Sequence, residues 1–286
     1  MTDLPAEVTA ALGAARPFDG RRRVVAAGGL DWATLEWGEG SDPPVLLAHG
    51  VTSSADTWWR VGPALAATRR RVVAVDMPGH GRTGGWAGHH RFAATATELA
   101  AFIAAAGLDR DDLGVVGHSW GAMVVAALGS AGVTPRRRVL LDPPAMTRDQ
   151  IATLLDDPLE QRFDDRAAAI EVIGHVRPEW SYGDVVAKAE GLATFGKAAV
   201  RSILLDNGDW DGGLAGLAGL TGRDGAPDVW IVRGEPAYGG FLPDDAVADL
   251  ARVVPPAQIV TIPGAPHSPM RTHPTETVAA LLRALA

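Results

Sequence analysis

The sequence predicts an α/β protein with a doubly wound, mostly parallel sheet of eight strands and an inserted helical segment. Two observations carry this prediction. Short apolar runs bounded by turn residues alternate with stretches of helical periodicity along most of the chain. Such runs are typical of strands that are buried on both faces of a parallel sheet. The alternation breaks once, between Leu141 and Val229, where no convincing buried strand occurs.

The eight predicted strands share an apolar centre and flanking turn or charged residues. They comprise residues 22–26, 32–37, 45–48, 72–75, 113–116, 139–141, 229–232 and 259–262. A Gly28-Gly29 turn separates the first two of these strands. The predicted helices that accompany the sheet comprise residues 4–15, 57–67, 93–106, 120–128, 243–252 and 274–285. Strand and helix alternate in the order that a doubly wound sheet requires.

The interval without a buried strand contains four further helical patterns, at residues 148–155, 166–175, 182–193 and 195–205. We interpret it as a helical lid, with residues 1–144 and 221–286 forming the sheet domain and residues 145–220 the lid. The glycine-rich stretch 212–219 is expected to be a loose helix or a loop that leads back to the sheet.

Composition excludes several function classes. The net charge of −8 argues against nucleic acid or an anionic membrane surface as a partner. The chain has no cysteine, so disulfides, thiol catalysis and cysteine-bound metal are excluded, and a cytoplasmic location is compatible with this composition. No signal peptide is apparent, and no apolar run approaches the length of about 18 residues that a spanning helix needs.

The strongest chemical signal is Gly117-His118-Ser119-Trp120-Gly121, which matches G-x-S-x-G. It follows a predicted strand and opens a predicted helix, so the chain must turn sharply and present the serine side chain. The helix that follows directs its amide dipoles at Ser119 and favours negative charge there. We predict Ser119 as a nucleophile; the alternative is a tight structural turn with an idle serine.

Three other motifs occur in order around this one. His49-Gly50-Val51-Thr52 follows the third strand, Asp76-Met77-Pro78-Gly79-His80-Gly81-Arg82 follows the fourth, and His267 lies between the last strand and the last helix. With the serine motif, they make the chain resemble the α/β-hydrolase superfamily over nearly its whole length. The resemblance implies an eight-stranded α/β-hydrolase fold with a lid, and an oxyanion hole formed by the backbone N–H groups of Val51 and Trp120.

His267 is the predicted general base. A serine hydroxyl is a poor nucleophile until a neighbouring base removes its proton, and imidazole titrates near neutrality. His118 is expected to point away from Ser119, and the resemblance gives His80 a structural place in its turn. The remaining histidines (His89, His90, His175 and His273) belong to no motif, and neither a metal nor a cofactor is expected.

The third catalytic residue departs from the pattern of the family. Many members carry an aspartate three residues after the glycine that ends the seventh strand, but here that glycine is Gly234 and the residue is Ala237. Some members carry the acid after the sixth strand instead, where this chain has Asp142. Asp142 is therefore the first candidate and Glu235 the second.

Two alternatives to these assignments stay open. Asp244 or Asp245 is a third candidate for the acid, and Asp142 could be a turn residue ahead of Pro143-Pro144. The tryptophans near the motifs (Trp58, Trp59 and Trp120) either line a substrate pocket or pack in the core.

A serine nucleophile with an oxyanion hole implies acyl transfer through an acyl-enzyme. Haloalkane dehalogenases and epoxide hydrolases of this fold carry an aspartate at the elbow, so Ser119 argues against both. The reactions that remain are hydrolysis of an ester, lactone, thioester or amide, or of a carbon–carbon bond beside a carbonyl. The resemblance favours a small-molecule carboxylic ester or lactone, with a mostly apolar, medium-sized ester as the expected substrate. The protein is expected to be a monomer or homodimer. The alternatives are a slow or inactive ligand-binding or receptor member, and a non-hydrolytic biosynthetic enzyme that performs cyclisation or acyl transfer.

Overall fold

The computed structural model describes residues 3–86, 88–217 and 228–286. Its main sheet contains strands β1 (Arg21–Ala27), β2 (Leu30–Trp37), β3 (Asp42–Ala48), β4 (Arg70–Val75), β5 (Gly114–His118), β6 (Arg137–Leu141), β7 (Asp228–Arg233) and β8 (Ile259–Thr261). Their order across the sheet is β1-β2-β4-β3-β5-β6-β7-β8. β2 pairs antiparallel with β1 and with β4, and the other described pairings of this sheet are parallel. The predicted eight-stranded, mostly parallel sheet is confirmed.

The helices of the described residues are α1 (Ala6–Ala14), α2 (Val61–Ala66), α3 (Phe92–Ala105), α4 (Trp120–Ala126), α5 (Arg148–Thr153), α6 (Arg166–Val176), α7 (Tyr182–Thr194), α8 (Lys197–Leu205), α9 (Leu214–Leu217), α10 (Asp244–Leu250), α11 (Pro269–Thr272) and α12 (Pro274–Ala284). None of these helices is long and apolar enough to cross a membrane.

Strand β3 shows how the sheet is covered on both faces. Leu46 belongs to a core cluster that includes Phe102 of α3, whereas Val45 and Leu47 belong to a second cluster that includes Leu281 of α12. Successive side chains of a strand point to opposite faces, so the two clusters lie on the two sides of the sheet. The continuous apolar run of this strand follows directly from that arrangement.

Two local predictions differ from the structure. The predicted helix 57–67 is a 3-10 turn (Ala55–Trp58) followed by α2, which begins at Val61. Pro63 has no backbone N–H and is tolerated in the first turn of a helix, which explains the late start. In the interval where no strand was predicted, Ala145–Met146 and Trp210–Asp211 form a short antiparallel pair. Strands of two residues are too short to produce a periodic pattern.

The segment between β6 and β7 contains α5 to α9. We call its described part, residues 145–217, the inserted segment. Helix α7 packs closely on the loop after β3. A Cβ atom added to Gly191 would lie only 2.8 Å from the Cα atom of Ser53, so a glycine is needed at this contact. Helix α9 falls within the predicted loose helix or loop, while residues 218–219 and the predicted lid boundary at 220 lie outside the described residues.

Candidate active site

Ser119 occupies a tight turn between β5 and α4. Its backbone has φ 55° and ψ −123°, a region that costs a non-glycine residue about 1–3 kcal/mol. A Cβ atom on Gly117 would lie 2.3 Å from the carbonyl oxygen of Gly121, and one on Gly121 would lie 2.5 Å from that of His49. Both glycines are therefore required by close backbone approaches, and the turn holds the serine side chain at the end of β5.

Ser119, His267 and Asp142 are brought together in one hydrogen-bonded chain. The Oγ atom of Ser119 lies 2.9 Å from Nε2 of His267, and Nδ1 of His267 lies 2.6 Å from Oδ2 of Asp142. A carboxylate only accepts, so Nδ1 carries the ring proton and Nε2 is free to accept from the serine hydroxyl. This is the tautomer that a base acting on Ser119 needs.

The carboxylate of Asp142 is completely buried and held by main-chain donors. The N–H of Gly234 donates to Oδ1 at 2.9 Å, and the N–H of Phe241 donates to Oδ2 at the same distance. Asp142 itself has φ 44°, directly after β6. The left-handed backbone and the two donors fix the carboxylate toward the His267 ring.

The other acidic candidates are engaged elsewhere. Oε2 of Glu235 accepts from the N–H of Gly264 at 2.7 Å, and Asp244 pairs with Arg233 at 2.6 Å. Oδ1 of Asp245 accepts from the N–H of Ala246. None of these three carboxylates hydrogen-bonds with the His267 ring in the described structure.

The long loop after β7 supports His267 with its backbone and one ring. The carbonyl oxygen of Gly239 accepts from the N–H of His267 at 3.1 Å. The Phe241 ring stacks on the imidazole with their centroids 3.9 Å apart and their planes inclined by 18°. The loop lacks the usual aspartate, but Gly239 and Phe241 orient His267 by these two contacts. No sequence motif indicates either contact.

His118 lies beside the His267 ring and not against the Ser119 hydroxyl. Its Nε2–H donates to the carbonyl oxygen of His267 at 2.8 Å, with the ring centroids 4.9 Å apart. Burial, and then the neighbouring His267, lower the pKa of His118 well below its usual value. A neutral His118 therefore tethers the backbone of the residue predicted as the base.

The N–H groups of Val51 and Trp120 are the predicted oxyanion donors. Among the hydrogen bonds of the described residues, neither group donates to a protein acceptor. Trp120 begins α4, where no preceding helical turn offers a carbonyl. A Cβ atom on Gly50 would lie 2.9 Å from the Cβ atom of Ser119, which shows how closely the two loops approach.

His49 secures the loop that carries Val51. Its Nδ1–H donates to the carbonyl oxygen of Gly50 at 2.7 Å, and its Nε2 accepts from the N–H of Met77 at 3.0 Å. Burial lowers the pKa of His49 to about 4, so the ring is neutral at physiological pH. The histidine of this motif ties the loops after β3 and β4 together.

Lys188 of α7 braces the same loop from the inserted segment. Its buried Nζ atom donates to Oγ1 of Thr52 at 2.7 Å and lies 3.5 Å from Oε1 of Glu160. The Thr52 hydroxyl also donates to the Glu160 carboxylate. Burial lowers the pKa of Lys188 and raises that of Glu160, while the attraction between the two opposes both shifts.

No motif of the sequence indicates a role for Lys188, although its place in the helix pattern is a signal. Lys188 shares a helix face with Val185 and Leu192, three residues before and four after it, and both are buried. A lone lysine on an apolar face indicates a buried charge with a specific partner.

A cavity of about 280 Å³ opens above Ser119 and His267. The loop after β3 forms one wall, and the inserted segment contributes Met146, Ile151 and Trp210 to another. Of the candidate tryptophans, Trp58, Trp59 and Trp120 are all buried and do not line this cavity in the described structure. The core-packing interpretation is therefore the one that the structure favours for them.

Side chains that could bind a metal ion are not clustered in the described structure. Within residues 3–86, 88–217 and 228–286, no group of three or more histidine, aspartate or glutamate residues is placed to hold a metal ion. His90 is buried, with its ring 5.1 Å from that of Trp86. The Nδ1–H of His80 donates to the carbonyl oxygen of Pro78 at 3.1 Å.

The chain belongs to the α/β-hydrolase family, whose sequence profile matches residues 45–281. The order of the strands and the G-x-S-x-G turn at the end of β5 agree with this membership. The resemblance inferred from the motifs is therefore confirmed: the chain is a member of the α/β-hydrolase family.

Three similar proteins illustrate the breadth of this family. The magnesium-chelatase 30 kDa subunit of Rhodobacter capsulatus is 30% identical over 266 residues, covering 85% of this chain and 86% of that protein. The 2-hydroxy-6-oxo-2,4-heptadienoate hydrolase of Pseudomonas putida F1 is 34% identical over 122 residues, 42% of this chain and 43% of its own. The crystal structure of the esterase RhEst1 from Rhodococcus superposes with a TM-score of 0.70 at 19% identity, covering 92% and 98% of the two chains.

Proposed function

We propose that this protein is a serine hydrolase that cleaves a small carboxylic ester or lactone through an acyl-enzyme. The observation that carries the proposal is the continuous chain from the Ser119 hydroxyl through His267 to Asp142, at 2.9 Å and 2.6 Å. Ser119 and His267 lie at the base of the cavity, where a bound carbonyl group can reach the serine hydroxyl.

In the first step, Oγ of Ser119 attacks the carbonyl carbon while Nε2 of His267 accepts its proton. The Asp142 carboxylate stabilises the imidazolium that results. The carbonyl oxygen becomes an oxyanion, which receives hydrogen bonds from the N–H groups of Val51 and Trp120. Each of these two donors lacks a protein acceptor in the described structure, as an oxyanion site requires.

The tetrahedral intermediate then collapses to the acyl-enzyme. His267 returns its proton to the leaving alcohol oxygen, or to the ring oxygen of a lactone. A water molecule subsequently attacks the acyl carbon with His267 as base, and Ser119 is released with the carboxylic acid as product. The serine at the elbow supports this chemistry over an aspartate-dependent one.

The proposal assigns substrate choice to the segment between β6 and β7. We keep residues 145–220 as a lid subdomain and residues 1–144 and 221–286 as the catalytic domain. The support is that α5, α7 and the turns before and after α6 contribute charged and apolar side chains to the cavity above Ser119. An inserted segment of this kind can vary without disturbing the strand ends that hold the catalytic groups.

A second candidate is a non-hydrolytic role on the same fold, as a ligand-binding protein or a biosynthetic enzyme. The observation that favours it is the likeness along 85% of the chain to a protein named as a chelatase subunit and not as a hydrolase. Fold membership does not decide between these roles, because sites and not folds carry function.

Active-site labelling separates the two candidates. A fluorophosphonate probe is expected to label the wild-type protein, and labelling should disappear in Ser119→Ala. On p-nitrophenyl esters of increasing chain length and on several lactones, Ser119→Ala should lower kcat by about 10⁴-fold or more.

The opposite results would favour the second candidate. An unlabelled wild-type protein, or product formation that survives Ser119→Ala, would remove the serine hydrolase assignment. Circular dichroism of Ser119→Ala serves as the control for folding, since this substitution removes only one oxygen atom.

A further inference from the structure

Arg271 is a buried cation in the wall of the cavity. It lies four residues after His267, lines the same cavity and is only 5% exposed. Two of its five N–H donors are engaged: Nη1 donates to the carbonyl oxygen of Asp184 and Nη2 to Oγ1 of Thr57, both at 2.9 Å. Both acceptors are neutral groups, so neither balances the charge.

No carboxylate of the described residues forms an ion pair with Arg271. Two acidic groups act on it electrostatically, and each is bound elsewhere. The Asp184 carboxylate is paired with Arg60 and accepts from the Ser181 hydroxyl at 2.6 Å, while Glu160 is paired with Lys188. Burial lowers the pKa of Arg271 to about 10, so the side chain still carries its charge at neutral pH.

A buried charge without a counter-ion is costly, and proteins generally pair such groups. Lys188 and Glu160, which also lie on the cavity wall, follow that rule. Glu160 is matched by Lys188 and the Thr52 hydroxyl, and Oδ1 of Asp157 accepts from the N–H of Leu159 at 2.8 Å. Arg271, unlike Lys188 and Glu160, is buried without an ion-pair partner in the described structure.

A second guanidinium group lies near the first. Arg177 directly follows α6 and lines the cavity, and its Cζ atom lies 5.8 Å from the centroid of the Trp180 ring. Cζ of Arg271 lies 4.7 Å from the same centroid. The Nε atom of Arg177 is buried without a hydrogen-bond partner in the described residues, and its ion pair with Glu179 is long, at 3.8 Å.

We propose that Arg271, assisted by Arg177, binds a carboxylate group of the substrate, so that the preferred ester or lactone is an anion. This inference rests on the proposed function for its substrate class. Arg271 is a buried cation without a counter-ion, so it can balance one negative charge on a ligand. Its planar guanidinium group also fits the planar carboxylate group of such a ligand. Because Arg271 and His267 share one short segment, the carboxylate is held at a set distance from the reacting carbonyl.

Binding of matched probes tests the proposal without requiring turnover. The probes are 3-phenylpropionate, 4-phenylbutyrate and 5-phenylvalerate, each compared with its own primary amide by isothermal titration calorimetry. In the wild-type protein, at least one carboxylate is expected to bind about tenfold or more tightly than its amide. This preference should fall to about one in Arg271→Gln and be kept in part in Arg271→Lys.

Two further variants guard against a folding artefact. Arg252→Gln, a substitution of an exposed arginine outside the cavity wall, should leave the preference unchanged. Arg177→Gln, at a partly exposed position, should reduce the preference by about threefold. Circular dichroism verifies the fold of each variant. If no carboxylate in the series binds better than its amide, or if the preference persists in Arg271→Gln, the proposal is wrong.

Turnover distinguishes this inference from the proposed function. Hydrolysis of 4-acetoxybenzoate should have a higher kcat/KM than that of its methyl ester, and Arg271→Gln should remove the difference. Selective binding of carboxylates without hydrolysis of either ester would uphold the carboxylate site and overturn the esterase proposal. Hydrolysis of both esters with equal kcat/KM would do the reverse.

Discussion

The two walls of the cavity are built in different ways. The strand-end wall carries Ser119 and His267, and the buried Asp142 carboxylate lies behind the His267 ring. All three residues are held largely by the main chain. Two of them have positive φ angles, and backbone N–H groups hold the Asp142 carboxylate. The inserted segment instead contributes Lys188 and Glu160, which are held by side-chain contacts.

The two kinds of support suggest different roles for the two walls of the cavity. Main-chain contacts survive most side-chain substitutions, so the strand-end wall keeps its geometry while the inserted segment varies. The wall from the inserted segment depends on long side chains, each of which can be replaced individually. Substitutions in the first wall should therefore abolish the reaction, and substitutions in the second should tune its rate or selectivity.

After Ser119→Ala, the largest effect is expected from Asp142→Asn. The NH2 group of asparagine donates where the carboxylate accepts, so it favours the His267 tautomer that carries its proton on Nε2. That tautomer cannot accept the proton of Ser119. We expect kcat on a p-nitrophenyl ester to fall by about 10³- to 10⁴-fold. Glu235→Gln is the matched control, because its carboxylate contacts the N–H of Gly264 and not the imidazole, and only a several-fold change is expected.

The ranking of these two variants is decisive for the acid. A greater loss in Glu235→Gln than in Asp142→Asn would contradict the assignment of Asp142 and leave Ser119 and His267 unaffected. Fluorophosphonate labelling rates of both variants give a second measurement that does not depend on the choice of ester.

A smaller effect is expected from Lys188→Met, which removes the brace on Thr52, the residue after Val51. Loosening this loop should misplace the N–H of Val51, one of the two proposed oxyanion donors, and lower kcat by about tenfold with little change in KM. Lys197→Met, at an exposed position of α8, is the matched control and should leave kcat unchanged.

The double variant Lys188→Met/Glu160→Gln separates the brace from simple charge imbalance. It leaves no unpaired carboxylate behind, so stability should recover relative to the single variant while kcat stays low. Full recovery of kcat would show that the lysine only neutralises Glu160.

The smallest effect concerns stability and the buried histidines that support the strand-end wall. The pKa of His49 is lowered to about 4, and those of His80 and His118 are well below their usual values, in each case mainly because of burial. The unfolded chain binds protons below about pH 6.5 while the native state does not, so stability is lost as pH falls. Each histidine contributes up to about 1.4 kcal/mol per pH unit.

Asp76 acts in the opposite direction, because burial raises its pKa to about 6. Its native state binds a proton more readily than the unfolded chain, so this group favours folding as the pH falls. Urea denaturation between about pH 7 and pH 5 should still show a net loss of stability at the acidic end. The dependence should become shallower in His118→Gln, and an unchanged slope would contradict the contribution of His118.

The sequence is most informative where a motif constrains the backbone. The G-x-S-x-G pattern placed Ser119 between a strand and a helix, because only glycines allow the close approaches on either side of it. The choice between Asp142 and Glu235 was ranked but left open. It depends on which of two neighbouring strand ends directs a carboxylate to His267, and in the structure the Asp142 carboxylate lies 2.6 Å from that ring.

The inserted segment was predicted less completely. Its helices were expected near their observed positions, but the roles of Lys188, Arg177 and Arg271 were not. Each of these side chains depends on partners far away in the chain; the contact between Lys188 and Thr52, for example, spans 136 positions. No local pattern encodes such a contact.

The sequence by itself determined the family, the alternation of strands and helices and the serine turn, since these depend on apolar periodicity and on glycines at close backbone approaches. Only the tertiary structure decided which carboxylate reaches His267, which lysine contacts the loop after β3 and which buried arginine lacks a counter-ion. Those outcomes depend on distances between residues remote in sequence, and burial makes the resulting electrostatic interactions strong.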